Sequence, residues 1–448
     1  MLNVVLGAIG CPFARLPVCP LLTRLVSASQ LPSMTDHRRF AGLAALGLML
    51  TVACAAPGDA PPSLFDAITP IDAPAGPNSG EPNLAVDGSG RVHLSWLERN
   101  PDSTVALKIA VRENGQWSAP VVVTSRSDLF VNWADFPSVF VAPSGRIVMH
   151  WLQRGAGGKY SYNAMTRQSG DGGTTWSEPR ALHDDKVAAE HGFVSFFATD
   201  GDSVEAIWLD GRNTAGGGHD GHRGSMQLGN GRIGPDGGIA PSVMLDDRIC
   251  DCCQTSAAMT SRGPIVVYRD RSPDEIRDIA VLRRVDGKWT SPTHVHADEW
   301  HIEGCPVNGP SVAAEGAEVA VAWFTGARDT ARVNVAFSSD AGATFSAPVR
   351  VDSGNPAGRV DVEFDNAGRA LVTWLERVGG DGAEVRVKAV SRDGSSSPAM
   401  VVANSAAARS SGFPRVVRTG NEVIFAWTQP GDSSRVRMAT ARLPAAAR

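Results

Sequence analysis

The chain has few of the features that mark helical, membrane-spanning or nucleic-acid-binding proteins. Apolar residues show no helical spacing of useful length, and no lysine- and arginine-rich run follows the N-terminal segment. The net charge of -5 argues against a nucleic-acid groove. Cysteine and tyrosine are scarce, with 7 and 3 residues. We therefore expect an ordinary globular protein without a nucleic-acid partner.

Glycine and proline, in contrast, are plentiful. The chain has 47 glycines and 29 prolines, as many short strands joined by turns would require. This composition favours an all-β fold. Repeated β folds run longer as single units than average domains do, so the length of 448 residues does not demand several domains.

The N-terminal segment has the layout of an export signal. A charged stretch at residues 34–39 precedes an apolar run at residues 40–52, which is too short to span a membrane. Cys54 follows this run and resembles a bacterial lipoprotein processing site, although Thr51 stands where leucine is usual. We expect export to a periplasm or outer surface, with or without a lipid anchor on Cys54.

These features divide the chain into four parts. Residues 1–33 are interpreted as an over-extended start, because Met34 alone begins a complete signal. Residues 34–54 form the signal, residues 55–62 a linker, and residues 63–448 a single domain.

The domain consists of a repeat marked by aromatic residues. Each apolar run, such as VHLSWLER or ALVTWLER, follows a short strand and a glycine-containing turn. A third strand, a polar turn and a fourth strand come next. Four short strands per period predict a β-propeller. The aromatic anchors recur every 51 to 60 residues at Trp96, Trp151, Trp208, Tyr268, Trp323, Trp374 and Trp427.

The repeat predicts seven blades, with six as the alternative. The last unit, from Gly412 to Leu443, lacks its fourth strand. Residues 63–72 precede the first unit and have nothing else to pair with. We predict that they supply the missing strand and close the ring, which removes two open sheet edges.

Two turns between third and fourth strands carry a further motif. They read SGDGGTTW from Ser169 and SDAGATF from Ser339. These turns resemble the Asp-box of the sialidase (neuraminidase) superfamily, in which the aspartate and hydroxyl side chains bind backbone amides of a tight turn. The matching residues are Ser169, Asp171, Gly173, Trp176, Asp340, Gly342 and Phe345.

This resemblance implies a sialidase-like propeller and a glycoside hydrolase acting on an extracytoplasmic glycan or another anionic small molecule. Asp-boxes in that superfamily are structural and lie away from the active face. True sialidases have six blades and use an arginine triad, a tyrosine paired with a glutamate, and an aspartate. Because Tyr160 and Tyr162 lie in a third strand and Tyr268 is a repeat anchor, no catalytic residue is carried over.

The propeller topology predicts which loops share a face. Loops that enter the first strand and loops that join the second strand to the third open on one side of the ring. These loops are long and varied here, so we place function there, over units three to five. Carboxylates and arginines of this face are the candidate catalytic residues, namely Asp135, Glu190, Asp210, Arg212, Arg269 and Arg271.

The same face collects the cysteines of the domain and several histidines. Disulfide bonds are one interpretation, because an exported protein normally pairs an even number of cysteines. A copper or zinc site is the second, since thiolate and imidazole suit both metals. A mixture of one disulfide with a reactive or metal-binding pair is the third. The candidate ligands are Cys250, Cys252, Cys253, Cys305, His191, His219 and His222.

Three functions therefore remain open from the sequence. They are a glycoside hydrolase, a cysteine and histidine metal site, and a disulfide-pinned scaffold that binds a partner. We expect a monomer in each case.

Overall fold

A computed structural model describes residues 63–199, 202–214 and 224–444. The predicted signal and linker, Cys54, His219 and His222 lie outside these residues. Within the described ranges, no helix has the length and apolarity needed to cross a membrane. The helical segments described are two single 3-10 turns, Ala327–Asp329 and Arg409–Ser411.

The described strands form seven antiparallel sheets. The first blade contains β2 (Ser79–Val86), β3 (Val92–Arg99), β4 (Val105–Glu113), β5 (Gln116–Trp117) and β6 (Val121–Arg126). The second contains β7 (Val139–Val141), β8 (Ile147–Arg154), β9 (Tyr162–Ser169) and β10 (Arg180–Ala181). The third contains β11 (His191–Ala198), β12 (Val204–Asp210), β13 (Met226–Ile233) and β14 (Val243–Ile249).

The fourth blade contains β15 (Ser256–Thr260), β16 (Gly263–Arg269), β17 (Ile279–Val285), β18 (Lys288–Trp289) and β19 (Thr293–His296). The fifth contains β20 (Ser311–Glu315), β21 (Glu318–Thr325), β22 (Arg332–Ser338) and β23 (Val349–Arg350). The sixth contains β24 (Pro356–Phe364), β25 (Ala370–Gly379), β26 (Gly382–Val390) and β27 (Met400–Ala406). The seventh contains β28 (Arg415–Thr419), β29 (Glu422–Gln429), β30 (Arg435–Arg442) and β1 (Ile68–Ile71).

The second strand of each blade carries its aromatic anchor. These strands are covered by sheets on both sides, so their side chains are buried in both directions and their sequences are nearly continuous apolar runs. The anchors from Trp96 to Trp427 are at most 6% exposed. The period read from the sequence therefore marks the middle strand of every blade.

Seven apolar clusters lie between the blades, one for each neighbouring pair. One contains Leu97 and Leu107 of the first blade together with Met149 of the second. Another joins Trp96 of the first blade to Ile424 of the seventh. Because a cluster also joins the last blade to the first, the ring is closed and burial continues around it.

The N-terminal strand completes the seventh blade, as predicted. Strand β1 pairs antiparallel with β30, with Ile68 opposite Ala441 and Ile71 opposite Met438. Leu64 and Phe65, just before β1, are buried in the cluster between the sixth and seventh blades. Both the seven-blade prediction and the closure by residues 63–72 are confirmed.

Both Asp-box turns have the hydrogen bonds that their motif predicts. Asp171 Oδ1 accepts from the Thr175 amide at 2.9 Å, and Ser169 Oγ accepts from the Gly173 amide at 2.8 Å. Hydrogen bonds from Thr175 and Ser169 lower the pKa of Asp171 to about 2. The Trp176 indole donates to the Gly173 carbonyl at 3.0 Å and closes the turn.

In the second Asp-box, the serine of the motif is not the one predicted from the sequence. Asp340 Oδ1 accepts from the Thr344 amide at 2.9 Å, as Asp171 does from Thr175. The hydroxyl that accepts from the Gly342 amide, at 2.9 Å, belongs to buried Ser338 and not to exposed Ser339. The motif therefore starts at Ser338, two residues before the aspartate, as Ser169 does in the other box.

Replacing Ser338 by alanine should lower the free energy of unfolding by about 1–3 kcal/mol, because the Gly342 amide loses its partner in a buried turn. Urea unfolding followed by circular dichroism measures this change. The neighbouring Ser339→Ala substitution is the control and should stay within about 0.5 kcal/mol, as exposed substitutions usually do. Equal effects of the two substitutions would contradict the assignment of Ser338.

Candidate functional site

One large pocket opens on the face where the varied loops meet, and we call it the loop-face pocket. Its volume is 1050 Å³. Its walls come from loops that enter first strands and from loops that join second to third strands, as the topology predicts. It extends beyond units three to five, because the second blade and the entry to the seventh also contribute. The wall includes Phe130, Asn132, Trp133, Arg154, Lys159, Tyr160, Phe193, Asp251, Cys252, Arg271, Glu275, Arg277, Glu303, Cys305, Val307 and Arg409.

A backbone irregularity recurs where first strands leave this face. The pairing register skips after Gly80, Gly192 and Gly358, at bulges in β2, β11 and β24. The residue after each glycine has a left-handed φ, with 53° at Glu81, 57° at Phe193 and 58° at Arg359. Non-glycine residues rarely adopt this conformation, and bulges of this kind re-aim side chains next to functional sites.

Basic side chains outnumber acidic ones on the pocket wall, five to three. Arg271 and Arg277 are both held by Glu275, each at 2.7 Å. The other three are Arg154, Lys159 and Arg409. Among the residues that the structure describes, no carboxylate forms a salt bridge with them. The pocket therefore presents uncompensated positive charge to a ligand.

Aromatic rings form part of the same wall. The guanidinium of Arg359 lies 4.8 Å from the centre of the Trp133 ring, and the ring of Phe413 stacks on Trp133 with ring centres 6.0 Å apart. Arg154 lies 4.9 Å above the ring of Phe130. A wall of aromatic surface with a few charged groups is typical of sites for small organic ligands.

A second, smaller cavity adjoins the pocket and holds a perturbed carboxyl group. This side cavity has a volume of 400 Å³ and shares Val131, Trp133 and Arg409 with the loop-face pocket. Glu81 lies on its wall. Burial raises the pKa of Glu81 to about 7, and the charge of Arg99 opposes this only in part. About half of the Glu81 carboxyl groups are therefore protonated at pH 7 and more at lower pH, which suits a general acid.

Asp210 and Arg212, predicted as catalytic candidates, are part of the framework of the third blade. Asp210 is fully buried and accepts from the Arg212 side chain at 2.8 Å. Asp210 also repeats a structural position, in which the anchor indole donates to the acid two residues later. These distances are 3.1, 2.8 and 2.5 Å for Trp96–Glu98, Trp208–Asp210 and Trp374–Glu376.

Asp135 and Glu190 do not line the loop-face pocket. Asp135 is buried and accepts from the Phe193 amide at 2.6 Å, which ties the second blade to the third. Glu190 accepts from the hydroxyl of Tyr162 at 3.1 Å. Burial and the charges of Glu190 and Asp135 raise the pKa of Tyr162 well above its usual value. This environment stabilises a neutral phenol and opposes formation of a phenolate nucleophile.

The two arginines predicted on the fourth blade have different surroundings. Arg271 lines the loop-face pocket, as predicted. Arg269 is 2% exposed and donates to the carbonyl oxygens of Asn308 at 2.7 Å, Arg277 at 2.5 Å and Phe324 at 2.7 Å. All these acceptors are backbone groups, so Arg269 supports the junction of the fourth and fifth blades.

Three of the predicted cysteines converge directly below the pocket. The Sγ of Cys250 lies 3.2 Å from that of Cys253 and 4.0 Å from that of Cys252, and the three are buried free thiols. Arg277 donates to Cys250 Sγ at 3.3 Å. Burial opposes ionisation of Cys250, but hydrogen bonds from the two other thiols and the charge of Arg277 outweigh it and hold the pKa of Cys250 well below its usual value. Exposed Cys305 forms a hydrogen bond with Cys252.

His191 does not belong to this sulfur group and lies in a different cluster. Its ring stacks on that of His183 at 3.7 Å, and both histidines contact Asp185 Oδ2 at 3.1 Å. Arg212 reaches the same carboxylate at 3.4 Å and already supplies positive charge there. Burial, followed by the charge of His191, lowers the pKa of His183. We assign this cluster to the contact between the second and third blades.

Several wall residues were not among the predicted site residues. Trp133, Arg277 and Glu303 stand on loops that the sequence places on this face, so the topology alone could have found them. No sequence motif marks Arg154, Lys159 or Arg409 as site residues. Glu81 had one available signal, a charged residue directly after glycine at the start of a first strand.

Comparison with known proteins agrees with the fold. A family model described as a BNR repeat-like domain matches residues 95–204. This match supports the resemblance to sialidase-like propellers carried by the two Asp-boxes. No curated protein sequence matches the chain.

Solved structures with similar architecture share little sequence with this chain. A protein of unknown function from Dyadobacter fermentans is 11% identical, with 86% of this chain and 99% of that chain covered and a TM-score of 0.49. The polysaccharide lyase Uly1 is 10% identical, with 82% and 90% covered and a TM-score of 0.49. A K499G mutant of the NanB sialidase from Streptococcus pneumoniae is 11% identical, with 84% and 94% covered and a TM-score of 0.44. These likenesses carry no information on the activity of this chain.

Proposed function

We propose that this protein binds an acidic oligosaccharide in the loop-face pocket and hydrolyses one of its glycosidic bonds. The observation that carries the proposal is the group of Arg154, Lys159 and Arg409, which line a pocket of 1050 Å³ without carboxylate partners among the described residues. Uncompensated cations in a concave site attract anions and raise their local concentration.

The size and lining of the pocket suit a short carbohydrate chain. Ligand pockets for small organic molecules span about 300–1,000 Å³, and the loop-face pocket, at 1050 Å³, lies just above that range. Trp133 and Phe130 supply flat apolar surface beside the charged groups. The export predicted from residues 34–54 would bring this pocket into contact with extracytoplasmic glycans.

Hydrolysis requires a proton donor and a second carboxylate. Glu81 is our candidate donor, because its carboxyl holds a proton near neutral pH and lies in the side cavity that adjoins the pocket. Glu303, exposed on the pocket wall, is our candidate for the second carboxylate. Catalysis then uses the substrate-facing groups and leaves Asp210 and Arg269 as supports.

Titration calorimetry of the full chain tests the binding step. The probes are sialyllactose and a hyaluronan tetrasaccharide, with lactose as the neutral counterpart. We expect the acidic probes to bind and their affinity to fall with salt, because the contacts are between charges. Equal binding of lactose, or no binding of any probe by folded protein, would overturn the proposal.

A double substitution locates the binding site. Arg154→Ala combined with Lys159→Ala should weaken acidic-probe affinity by about tenfold or more per side chain lost. Arg262→Ala combined with Lys288→Ala removes the same two residue types from exposed positions on the opposite face and should leave affinity unchanged. The product mixture, separated by chromatography, shows whether the bound probe is cleaved.

A further inference from the structure

The three-cysteine group below the loop-face pocket has the arrangement of a metal site. Cys250, Cys252 and Cys253 form the turn between β14 and β15, and their sulfur atoms all lie within 4.8 Å of one another. With a metal–sulfur bond of about 2.3 Å, three sulfurs around one ion lie about 4.0 Å apart in a planar triangle. The observed 3.2 and 4.0 Å require movement of less than about 1 Å to reach that triangle.

We propose that Cys250, Cys252 and Cys253 bind one monovalent copper ion, Cu(I), through three thiolates. This inference is independent of the proposed glycan activity.

The kind and number of donors select this ion. Thiolates are soft ligands that prefer Cu(I), zinc and iron–sulfur clusters over magnesium and calcium. Structural zinc is almost always bound by four ligands. Only three sulfurs, those of Cys250, Cys252 and Cys253, all lie within 4.8 Å of one another among the described residues. Cys305 contacts Cys252 but is not part of that group, and His191 is engaged with Asp185 in another cluster. A three-sulfur set therefore fits the lower coordination number of Cu(I).

One cation lies directly against the sulfur group. One Cu(I) with three thiolates carries a net charge of two minus, and each thiol that becomes a thiolate ligand releases its proton to solvent. Arg277 lies 3.3 Å from Cys250 Sγ and is itself held by Glu275 at 2.7 Å, so its guanidinium is fixed against the sulfur group. Arg271 contacts the intervening Asp251 at 3.3 Å. Arg277 therefore stabilises a sulfur anion away from water, and Arg271 holds Asp251 of the same turn.

A route to the site is also present. Cys252 and Cys305 both line the loop-face pocket, and Cys305 is exposed. Its thiol forms a hydrogen bond with Cys252. An incoming ion can bind Cys305 first and pass to Cys252 by ligand exchange, so Cys305 serves entry and is not one of the three final ligands.

Anaerobic titration of the reduced full chain with Cu(I), supplied as its acetonitrile complex in competition with bicinchoninate, tests the proposal. We expect one tightly held ion per chain and an X-ray absorption spectrum with three sulfurs at about 2.3 Å. Cys250→Ser and Cys253→Ser should each lower the affinity at least 100-fold. Cys305→Ser should keep the affinity and slow the loading.

Alkylation of the unsubstituted protein gives a second readout that does not depend on the folding of variants. Bound Cu(I) should protect Cys250, Cys252 and Cys253 from iodoacetamide, and peptide mass spectrometry assigns the protected thiols. Unchanged affinity in folded Cys250→Ser would overturn the proposal. So would a disulfide among the three residues in protein isolated anaerobically, or preferential binding of zinc by four sulfurs with loss of affinity in Cys305→Ser.

Discussion

Replacing Glu81 by glutamine should lower the rate of glycoside hydrolysis by about 100- to 10,000-fold, the usual contribution of general acid catalysis. Glutamine has nearly the same shape and fills the same space, but it has no acidic proton to donate to the leaving oxygen. Binding of the acidic oligosaccharide should change little, because the cations that attract it lie elsewhere on the wall. The measurement is kcat, obtained with whichever probe the unsubstituted protein cleaves.

The pH dependence of the reaction follows from the raised pKa. Burial raises the pKa of Glu81 from its ordinary value to about 7. A proton donor acts only when protonated, so kcat of the unsubstituted protein should fall as pH rises through about 7. This alkaline limb should be missing from the residual activity of Glu81→Gln.

Stability gives an independent test of the same carboxyl group. A carboxyl whose folded pKa exceeds its unfolded pKa binds more protons when folded, so the free energy of unfolding falls as pH rises between the two values. That interval runs from 4.5 to about 7 for Glu81. Glutamine does not titrate, so Glu81→Gln should become more stable relative to the parent as pH rises from 5 to 8.

Glu178→Gln is a suitable control for these experiments. Glu178 is exposed and follows an Asp-box turn on the opposite face, so kcat and its pH profile should not change. Full turnover in Glu81→Gln would exclude Glu81 as the proton donor. A stability difference that is constant from pH 5 to 8 would exclude the raised pKa.

Replacing Arg269 by methionine should lower the free energy of unfolding by about 3–5 kcal/mol, because three backbone carbonyl oxygens lose their donor. Arg269 is 2% exposed and its guanidinium donates to the carbonyl oxygens of Asn308, Arg277 and Phe324. Methionine fills similar volume but leaves these carbonyls without their donor, at about 1–3 kcal/mol for each buried group left unpaired. Urea unfolding of the full chain measures the loss.

Two further substitutions show that geometry, and not charge alone, is responsible. Lysine at position 269 keeps the charge, but its compact ammonium cannot reproduce the fork that reaches three carbonyls, so we expect an intermediate loss. Arg262→Met, on an exposed turn of the same blade, should stay within about 0.5 kcal/mol. A loss below about 1 kcal/mol for Arg269→Met would contradict the framework role.

The predicted fold depended on signals that are local in the chain. Each anchor, from Trp96 to Trp427, sits in a strand that is buried on both sides, so each blade repeats the same apolar run. The Asp-boxes are single turns whose hydrogen bonds close within eight residues. Closure by residues 63–72 could be predicted because the seventh unit lacked its fourth strand and the N-terminal strand had no other unit to join.

The candidate site was predicted less completely, because the place of a residue in the chain does not tell whether its side chain points into the pocket or into the blade. Asp210 and Arg271 both end or follow a second strand, yet one is buried under its anchor tryptophan and the other lines the pocket. An acidic residue also follows the anchor tryptophan by two positions at Trp96–Glu98 and Trp374–Glu376. This pattern was visible in the sequence and indicates that Asp210 has the same structural role.

The sequence by itself determined the seven-bladed ring, its closure and the face on which the varied loops meet, because strand period and turn chemistry act over a few neighbouring residues. Only the tertiary structure decided which side chains reach the loop-face pocket. That pocket joins loops from residues 130 to 409, and its lining includes the left-handed bulge at Phe193. The tertiary structure also places three sulfurs next to one another and His191 beside Asp185. Contacts of this kind depend on how the blades pack and not on the spacing of the residues along the chain.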